Sequence, residues 1–249
     1  MTKRSIAVVG LVLWGAAIVA AAVAGKPAPA PAPSTNALST SVPAAGLLRV
    51  EISAGQGQVD IGVTPGDQIE IAVALESGGT GVRLLGMPPG DAARTTLDAA
   101  VQGQTLRARV SGAVGDGLIE RWAVRVPARL AAEVTLRRGA ITVTGVEGGV
   151  RASADSGVGQ AAGAIAVDVP RGPLMLTMGV GTIRAHTGET PPGDIDVRSQ
   201  VGHARLSLEG HAIVTTDQYG AGERVRLEGD GTDGVVARVS VGDAHVRVR

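Results

Sequence analysis

The chain of 249 residues is 44% hydrophobic and 18% charged, and its 23 basic and 23 acidic side chains give a formal net charge of zero. A neutral chain lacks the strong positive field that non-specific nucleic-acid binding requires, so we expect no nucleic-acid partner. The absence of cysteine excludes a disulfide framework, a thiolate zinc site and a cysteine nucleophile.

Residues 1–24 have the three-part form of a secretory signal peptide. The basic pair Lys3-Arg4 precedes an uncharged apolar run over 6–23, which ends at an Ala-Val-Ala cleavage site. If this segment is not cleaved, the same run would anchor the chain in a membrane, and we expect no other membrane contact. Either outcome places the rest of the chain outside the cytoplasm, in the periplasm, at the cell surface or secreted.

Residues 25–46 are predicted to be a linker rich in proline and alanine. The sequence P-A-P-A-P-A-P from Pro27 to Pro33 favours an extended polyproline II conformation, which rises about 3.1 Å per residue. We interpret the segment as a spacer that holds the folded part away from a membrane or another envelope layer.

Residues 47–127 form the less regular, N-terminal part of the predicted β domain. Apolar and polar residues alternate in runs such as LLRVEIS, QIEIAVAL, TLRARV and RWAVRV, which is typical of strands with one buried face. The sequence GMPPGD, at Gly86–Asp91, predicts a turn between two of these runs. Pro127 ends the last run, and we place the boundary with a more regular region there.

Residues 128–249 contain a repeat of 20 to 22 residues with a marker glycine in each copy. Apolar residues alternate after most of these glycines, which predicts a strand buried on one side, and the glycine itself predicts a corner that a side chain would resist. An earlier segment of the chain has the same pattern, with Gly57 in the marker position. The apolar residues that follow Gly222 come one position late, which predicts a bulge there. The marker glycines are Gly139, Gly159, Gly181, Gly202, Gly222 and Gly242.

The repeat predicts an all-β fold, a single-stranded β-helix or solenoid with coils of 20–22 residues, preceded by the signal peptide and the linker. No coil can bury its apolar face alone, so we expect successive coils to stack about 4.8 Å apart. The final strand, AHVRVR, has no cap in the sequence. We therefore expect it to lie at an exposed end of the stack.

One stretch of the chain carries a resemblance to a known family. The segment RWAVRVPARLAAEVTLRRGAITVTGVEGGVRASADSGVG, a strand ending V-x-V-P followed by glycine-marked strand units, resembles the bacterial putative-adhesin β-solenoid family. The likeness extends over about residues 47–249. It implies an extracytoplasmic β-helix of unknown function with an adhesin-like role, and it supplies no functional residues.

The sequence contains no recognisable motif for catalysis, cofactor binding or metal binding. Its two G-V-G triplets lack the further residues of a nucleotide-binding loop, no G-x-S-x-G elbow occurs, and Gly229–Gly234 is a single fragment that is typical of a turn. The histidines have no metal-ligand spacing and are interpreted as surface residues. We predict no catalytic, cofactor or metal residues. The histidines are His186, His203, His211 and His245.

Four arginines recur at a constant spacing of 21 residues, which is close to the repeat length. If they form a ladder on one outer face, their charges repel unless carboxylates such as Glu223 or Asp243, or a bound anion, lie between them. This predicts a surface for an anionic glycan or a lipid headgroup. The alternative is an ordinary solvated face whose regularity follows the repeat. The four residues are Arg184, Arg205, Arg226 and Arg247.

These features predict a non-catalytic, adhesin-like, scaffold or interaction module of the bacterial cell envelope. Its partner would be an envelope glycan, a lipid headgroup or another envelope protein. One alternative is a polysaccharide-acting β-helix enzyme, for which Asp194 and Asp196 are the candidate carboxylate pair. Another alternative is a membrane-anchored regulatory or sensory ectodomain, which requires that residues 1–24 are retained.

Overall fold

The computed structural model describes residues 37–77, 95–111, 118–155, 162–188, 193–208, 215–229, 231 and 234–248, and these residues form strands and no helix. The predicted all-β class is confirmed, whereas the predicted signal peptide lies outside the described residues. No helix in this part of the chain is long and apolar enough to cross a membrane. The strands are β1 (Ala37–Pro43), β2 (Arg49–Thr64), β3 (Gln68–Ser77), β4 (Thr96–Gln102), β5 (Thr105–Ser111), β6 (Leu118–Pro127), β7 (Ala131–Thr144), β8 (Val150–Ala154), β9 (Gly163–Val169), β10 (Leu174–Thr187), β11 (Ile195–Val201), β12 (Ala204–Leu208), β13 (Thr215–Tyr219), β14 (Gly222–Leu227) and β15 (Val235–Val248).

The centre of the fold is a parallel stack of two-armed layers. The long strands β2, β7, β10 and β15 each form one layer, with a first arm before a glycine corner and a second arm after it. In the other layers the two arms are separate short strands. The spatial order is β5 with β6, then β2, β7, β8 with β9, β10, β15, and β11 with β12.

The glycine corners stack directly on one another. In five layers the corner glycine has a φ between 129° and 143°, a conformation that L side chains rarely adopt. A Cβ on Gly139 would collide with the carbonyl oxygen of Gly57, and a Cβ on Gly242 would collide with that of Gly181. These corners were predicted from the repeat, and the close approach of the backbones explains why glycine is needed. The five glycines are Gly57, Gly139, Gly181, Gly202 and Gly242.

A narrow aliphatic core fills the space between the arms. Along β7, Ala132, Val134 and Leu136 of the first arm and Ile141 and Val143 of the second point inward and are buried. Residues at equivalent positions in adjacent layers pair in register, so that the core continues from layer to layer. One such row contains Val59, Ile141, Ile165, Ile183, Ala244 and Ala204. Each fully buried large aliphatic side chain contributes about 1.5–3 kcal/mol relative to an exposed one.

The layers do not follow one another in chain order, which differs from the prediction. β15, the last strand, lies between β10 and β11–β12 and pairs with both. The prediction that this strand is an exposed end was therefore wrong. Similarly, β2 lies between β5–β6 and β7. The repeat sets the shape of each layer, but layers of equal shape can stack in more than one order.

The Gly222 segment was also predicted incorrectly as a coil of the parallel stack. β13 and β14 form an antiparallel hairpin, and β14 pairs antiparallel with β11. The glycine with positive φ in this segment is Gly220, in the hairpin turn, with a φ of 60°. The late apolar register noted in the sequence reflects this change of strand direction.

Antiparallel strands also occur at the N-terminal end of the stack. β3 pairs with β6, β1 pairs with β3, and β4 pairs with β5. β1 begins at Ala37, inside the range 25–46 that was predicted to be a linker, so the end of that range is a strand of the sheet. The turn predicted at Gly86–Asp91 and the marker Gly159 lie outside the described residues.

Candidate anion-binding surface

The outer face of the second arms carries a group of basic side chains that the register brings together. In each layer the third residue after the corner glycine points outward. This places Arg184 of β10, His245 of β15 and Arg205 of β12 side by side on adjacent strands. Neighbouring strands are about 4.8 Å apart, so the three residues form a continuous row.

A second row lies two positions further along the same strands. It consists of His186, Arg247 and Ser207, which pair in register. The residues that alternate with these positions, such as Ile183 and Ala185 on β10, are buried in the core. Strict alternation therefore directs the basic residues outward. We call the group Arg184, His186, Arg205, His245 and Arg247 the His245 surface.

His245 lies at the centre of this surface and is half-buried. Burial lowers its pKa below the ordinary value of 6.5, and the charges of His186, Arg205, Arg184 and Arg247 lower it further. The hydroxyl of Ser207 lies 3.0 Å from its Nε2 atom. The register that places Arg184 and Arg205 on either side of His245 puts it in a region of positive potential.

The two arginines beside His245 differ from several other arginines of the described residues. Arg49, Arg107 and Arg171, for example, form salt bridges with glutamates at 2.6–3.0 Å. Neither Arg184 nor Arg205 forms a salt bridge with a carboxylate of the described residues. Two unit charges at the spacing of adjacent strands repel by about 1 kcal/mol in water, and more where they are partly buried. An anion placed on the row would relieve this repulsion.

Two carboxylates near the corner of β12 have structural partners of their own. Asp243 Oδ1 accepts a hydrogen bond from the backbone N–H of His203 at 3.1 Å, and Glu223 Oε2 accepts one from that of Ala204 at 3.1 Å. Glu223 Oε1 also lies 3.2 Å from the Nδ1 atom of His203. This contact and the Ala204 hydrogen bond hold the pKa of Glu223 below its usual value. Both groups border the His245 surface on the side of the glycine corners.

The arginine ladder predicted from the spacing of 21 residues is only partly formed. Arg184, Arg205 and Arg247 lie on the His245 surface, with Arg247 in the second row. Arg226 lies on β14, where it pairs in register with Asp196 on the first-arm face. Since this strand is antiparallel, its residues do not continue the rows of the second arms.

Sequence reasoning did not group the two histidines of this surface with its arginines. His245 was interpreted as a solvated residue, although it lies three positions after Gly242, as Arg184 does after Gly181 and Arg205 after Gly202. That common offset could have identified the row. The constant spacing of 21 residues along the chain led to Arg226 and Arg247 instead. Positions counted from each corner glycine lead to His245.

The carboxylate pair considered for glycan hydrolysis is engaged in structural contacts. Asp196 accepts hydrogen bonds from Arg224 Nε at 2.7 Å and Nη2 at 3.0 Å, and Arg238 lies 3.6 Å from its second oxygen. The hydrogen bonds from Arg224 lower the pKa of Asp196, which keeps it ionised and unable to act as the proton donor of such a pair. Asp194 Oδ1 accepts a hydrogen bond from the backbone N–H of Gly229 at 3.0 Å.

Trp122, one of the few aromatic residues, belongs to the core and is 1% exposed. Its Nε1 donates a hydrogen bond to the buried Glu120 at 2.7 Å, and the other oxygen of Glu120 accepts one from the backbone N–H of Gly55 at 3.1 Å. Trp122 is therefore not available as a stacking platform for a sugar ring. Within the described ranges, no group of three or more histidine and acidic side chains is placed to hold a metal ion.

Comparison with known proteins gives two weak structural similarities. No family model matches the chain, and no curated protein matches it. A putative cell adhesion protein from Clostridium sporogenes is 9% identical, with a TM-score of 0.45 over 86% of this chain and 99% of the other. A putative adhesin from Bacteroides fragilis is also 9% identical, with a TM-score of 0.22 over 87% of this chain and 99% of the other. With both TM-scores below 0.5, neither similarity supports a conclusion about function.

Proposed function

We propose that the chain is a non-catalytic interaction module of the bacterial cell envelope that binds an anionic envelope component through the His245 surface. The observation that carries the proposal is the row of Arg184, His245 and Arg205 on three adjacent strands. The whole chain is neutral, so this local concentration of positive charge is not a consequence of a basic composition. Charge arranged in this way favours association with an anionic partner.

The proposal includes a solenoid scaffold and a location outside the cytoplasm. The in-register stack of layers with glycine corners supports the scaffold, which we interpret as a β-solenoid with one strand from each end of the chain inserted between neighbouring layers. The signal-like sequence over 1–24 supports the location. The resemblance of residues 47–249 to an adhesin-like family is consistent with a module that contacts envelope polymers.

A double substitution tests the proposal directly. Arg184→Gln with Arg205→Gln removes two charges from the row while it retains the length and polarity of the side chains. We expect binding to lipopolysaccharide or peptidoglycan to weaken about tenfold, since each exposed charge contact contributes about 0.2–1 kcal/mol. Binding of the unaltered chain should also weaken as the salt concentration is raised.

The matched control is Arg226→Gln. This residue is an exposed arginine of the same region, but it lies on β14 beside Asp196 and outside the His245 surface. We expect it to leave binding unchanged. Unchanged binding in the double variant, measured by co-sedimentation with peptidoglycan and by titration with lipopolysaccharide, would remove the proposal.

A further inference from the structure

We infer that the ligand of the His245 surface is a linear carboxylated glycan that lies across β10, β15 and β12, perpendicular to the strands. This inference rests on the proposed function and specifies its ligand. It follows from the shape of the charged area, from the groups that border it and from the place where the row of charges ends.

The charged area is a narrow band that follows the stacking direction. Arg184, His245 and Arg205 supply one basic group per strand, and His186 and Arg247 supply further basic groups on two of the same strands. Successive groups are therefore separated by the strand spacing of about 4.8 Å. A linear polymer with one carboxylate in each repeat, and a repeat close to this spacing, would meet one basic group after another.

The borders of the band favour a linear ligand over a flat anionic membrane. On the corner side, Asp243 and Glu223 are held in place by backbone amides of His203 and Ala204. At the other end of the second row, Asp168 of β9 pairs in register with His186. A bilayer surface wide enough to contact the basic groups would also approach these carboxylates and be repelled by them, whereas a single polymer chain along the first row covers a narrower area.

The row of basic residues ends at β9. The position next to Arg184 on this strand is occupied by Ala166, followed by Thr142 on β7. On the opposite side, β12 pairs only with β15 among the described strands. Arg184, Arg247 and Arg205 thus supply charge on three strands, and His245 is a further basic group that gains a proton when an anion binds. The affinity for an oligomer should therefore rise with its length and level off at about three charged repeats.

Titration with galacturonate and its oligomers, from monomer to hexamer, tests this expectation by calorimetry. The trimer has three times as many carboxylates as the monomer, and we expect its affinity to exceed that of the monomer by much more than this factor. The affinity of the hexamer should differ little from that of the trimer. Vesicles of phosphatidylglycerol form a second arm of the experiment and should bind more weakly than the trimer at equal concentration of charge.

Ala166→Arg provides a gain-of-function variant, because it extends the row to a fourth strand at a half-exposed position. We expect it to strengthen binding of the tetramer about threefold and to move the plateau from trimer to tetramer. The matched control is Ala123→Arg, which adds the same charge on β6, at the same outward register but separated from Ala166 by β2 and β7. It should leave the plateau at the trimer.

Three outcomes would overturn the inference, and they separate it from the proposed function. Equal affinity per carboxylate for monomer and oligomers would leave an anion-binding surface but would contradict a linear ligand. Binding to vesicles in preference to the oligomers would replace the glycan with a lipid surface. Failure of every anion, including lipopolysaccharide and peptidoglycan, would remove both the inference and the proposed function.

Discussion

At the scale of single residues, His245 links the His245 surface to pH. It faces Arg184 and His186 on β10, Arg205 and Ser207 on β12, and Arg247 on its own strand. Burial, together with these cations, favours its neutral form. An anion bound on the row would offset the positive charges and favour protonation, so ligand binding and proton uptake are coupled.

The coupling predicts a change in the pKa of His245, measurable by NMR titration of its imidazole signals. In the free protein this pKa should lie below 6.5, and it should rise when an anionic oligomer is bound. By linkage, binding strengthens as the pH falls through the range between the two values. The signal is assigned by its loss in His245→Gln. A pKa that stays the same at saturating ligand would contradict the coupling.

The same shift has a consequence for stability without a ligand. Because the pKa of His245 is lower in the folded state than the ordinary 6.5, the unfolded state binds the proton more readily. This residue's contribution to the free energy of unfolding is therefore full above the ordinary pKa and is lost as the pH falls from that value through the lower pKa of the folded state. As the pH is lowered from neutral, the Tm of the unaltered chain should therefore fall more than the Tm of His245→Gln. An unchanged difference would show that the folded protein does not resist protonation at this position.

At the scale of structural elements, each layer depends on its corner glycine. Gly139→Ala places a Cβ against the carbonyl oxygen of Gly57 and forces a side chain into a φ of 130°. We expect a loss of about 3 kcal/mol or more in the free energy of unfolding, because both strain and backbone overlap oppose it. Chemical denaturation measures the change.

Gly66→Ala is the control for the corner substitution. Gly66 lies in the bend between β2 and β3, and a Cβ there would meet only the hydroxyl of Thr64, at 3.9 Å. The expected change in the free energy of unfolding is within about 0.5 kcal/mol. If the two variants were equally stable, the corner would not require glycine.

The corners and the core could be predicted from the sequence because both depend on local patterns. Gly139 and Gly181 precede strict alternations that fix which side chains point inward, and the structure has the corresponding arms. The Gly222 segment was misinterpreted because a strand that reverses direction retains the glycine and the apolar residues of the repeat. Its late register was the one local sign of the hairpin.

The order of the layers could not be predicted, and the His245 surface depends on that order. Arg184 and Arg205 are neighbours of His245 only because β15 lies between β10 and β12. Nothing in the repeat distinguishes this order from a sequential one, since every layer presents similar aliphatic side chains to the next. The sequence therefore grouped three arginines of the His245 surface, but it did not place His245 between two of them.

At the scale of the whole molecule, β15 joins two parts of the stack that have no direct pairing with each other among the described strands. Removing residues 235–249 would uncover buried residues on both sides, including Ile183 on β10 and Ile195 on β11. We expect the truncated chain to lose cooperative unfolding or to show a Tm lower by more than about 10 °C, measured by calorimetry.

A chain that begins at residue 44 is the matched truncation, compared with one that begins at residue 37. It removes β1, which pairs only with β3 among the described strands, so we expect a much smaller change in Tm. If the two truncations had similar effects, β15 would not be the strand that holds the C-terminal layers together.

The central position of the last strand has a consequence for biosynthesis. Protein chains emerge from the ribosome, and pass through export channels, starting at the N-terminus. The layers before β10 have their neighbours by the time that strand is made, but the position between β10 and β11–β12 stays empty until β15 has been made. Closure of the C-terminal layers thus waits for β15, which is synthesised after every strand that it joins.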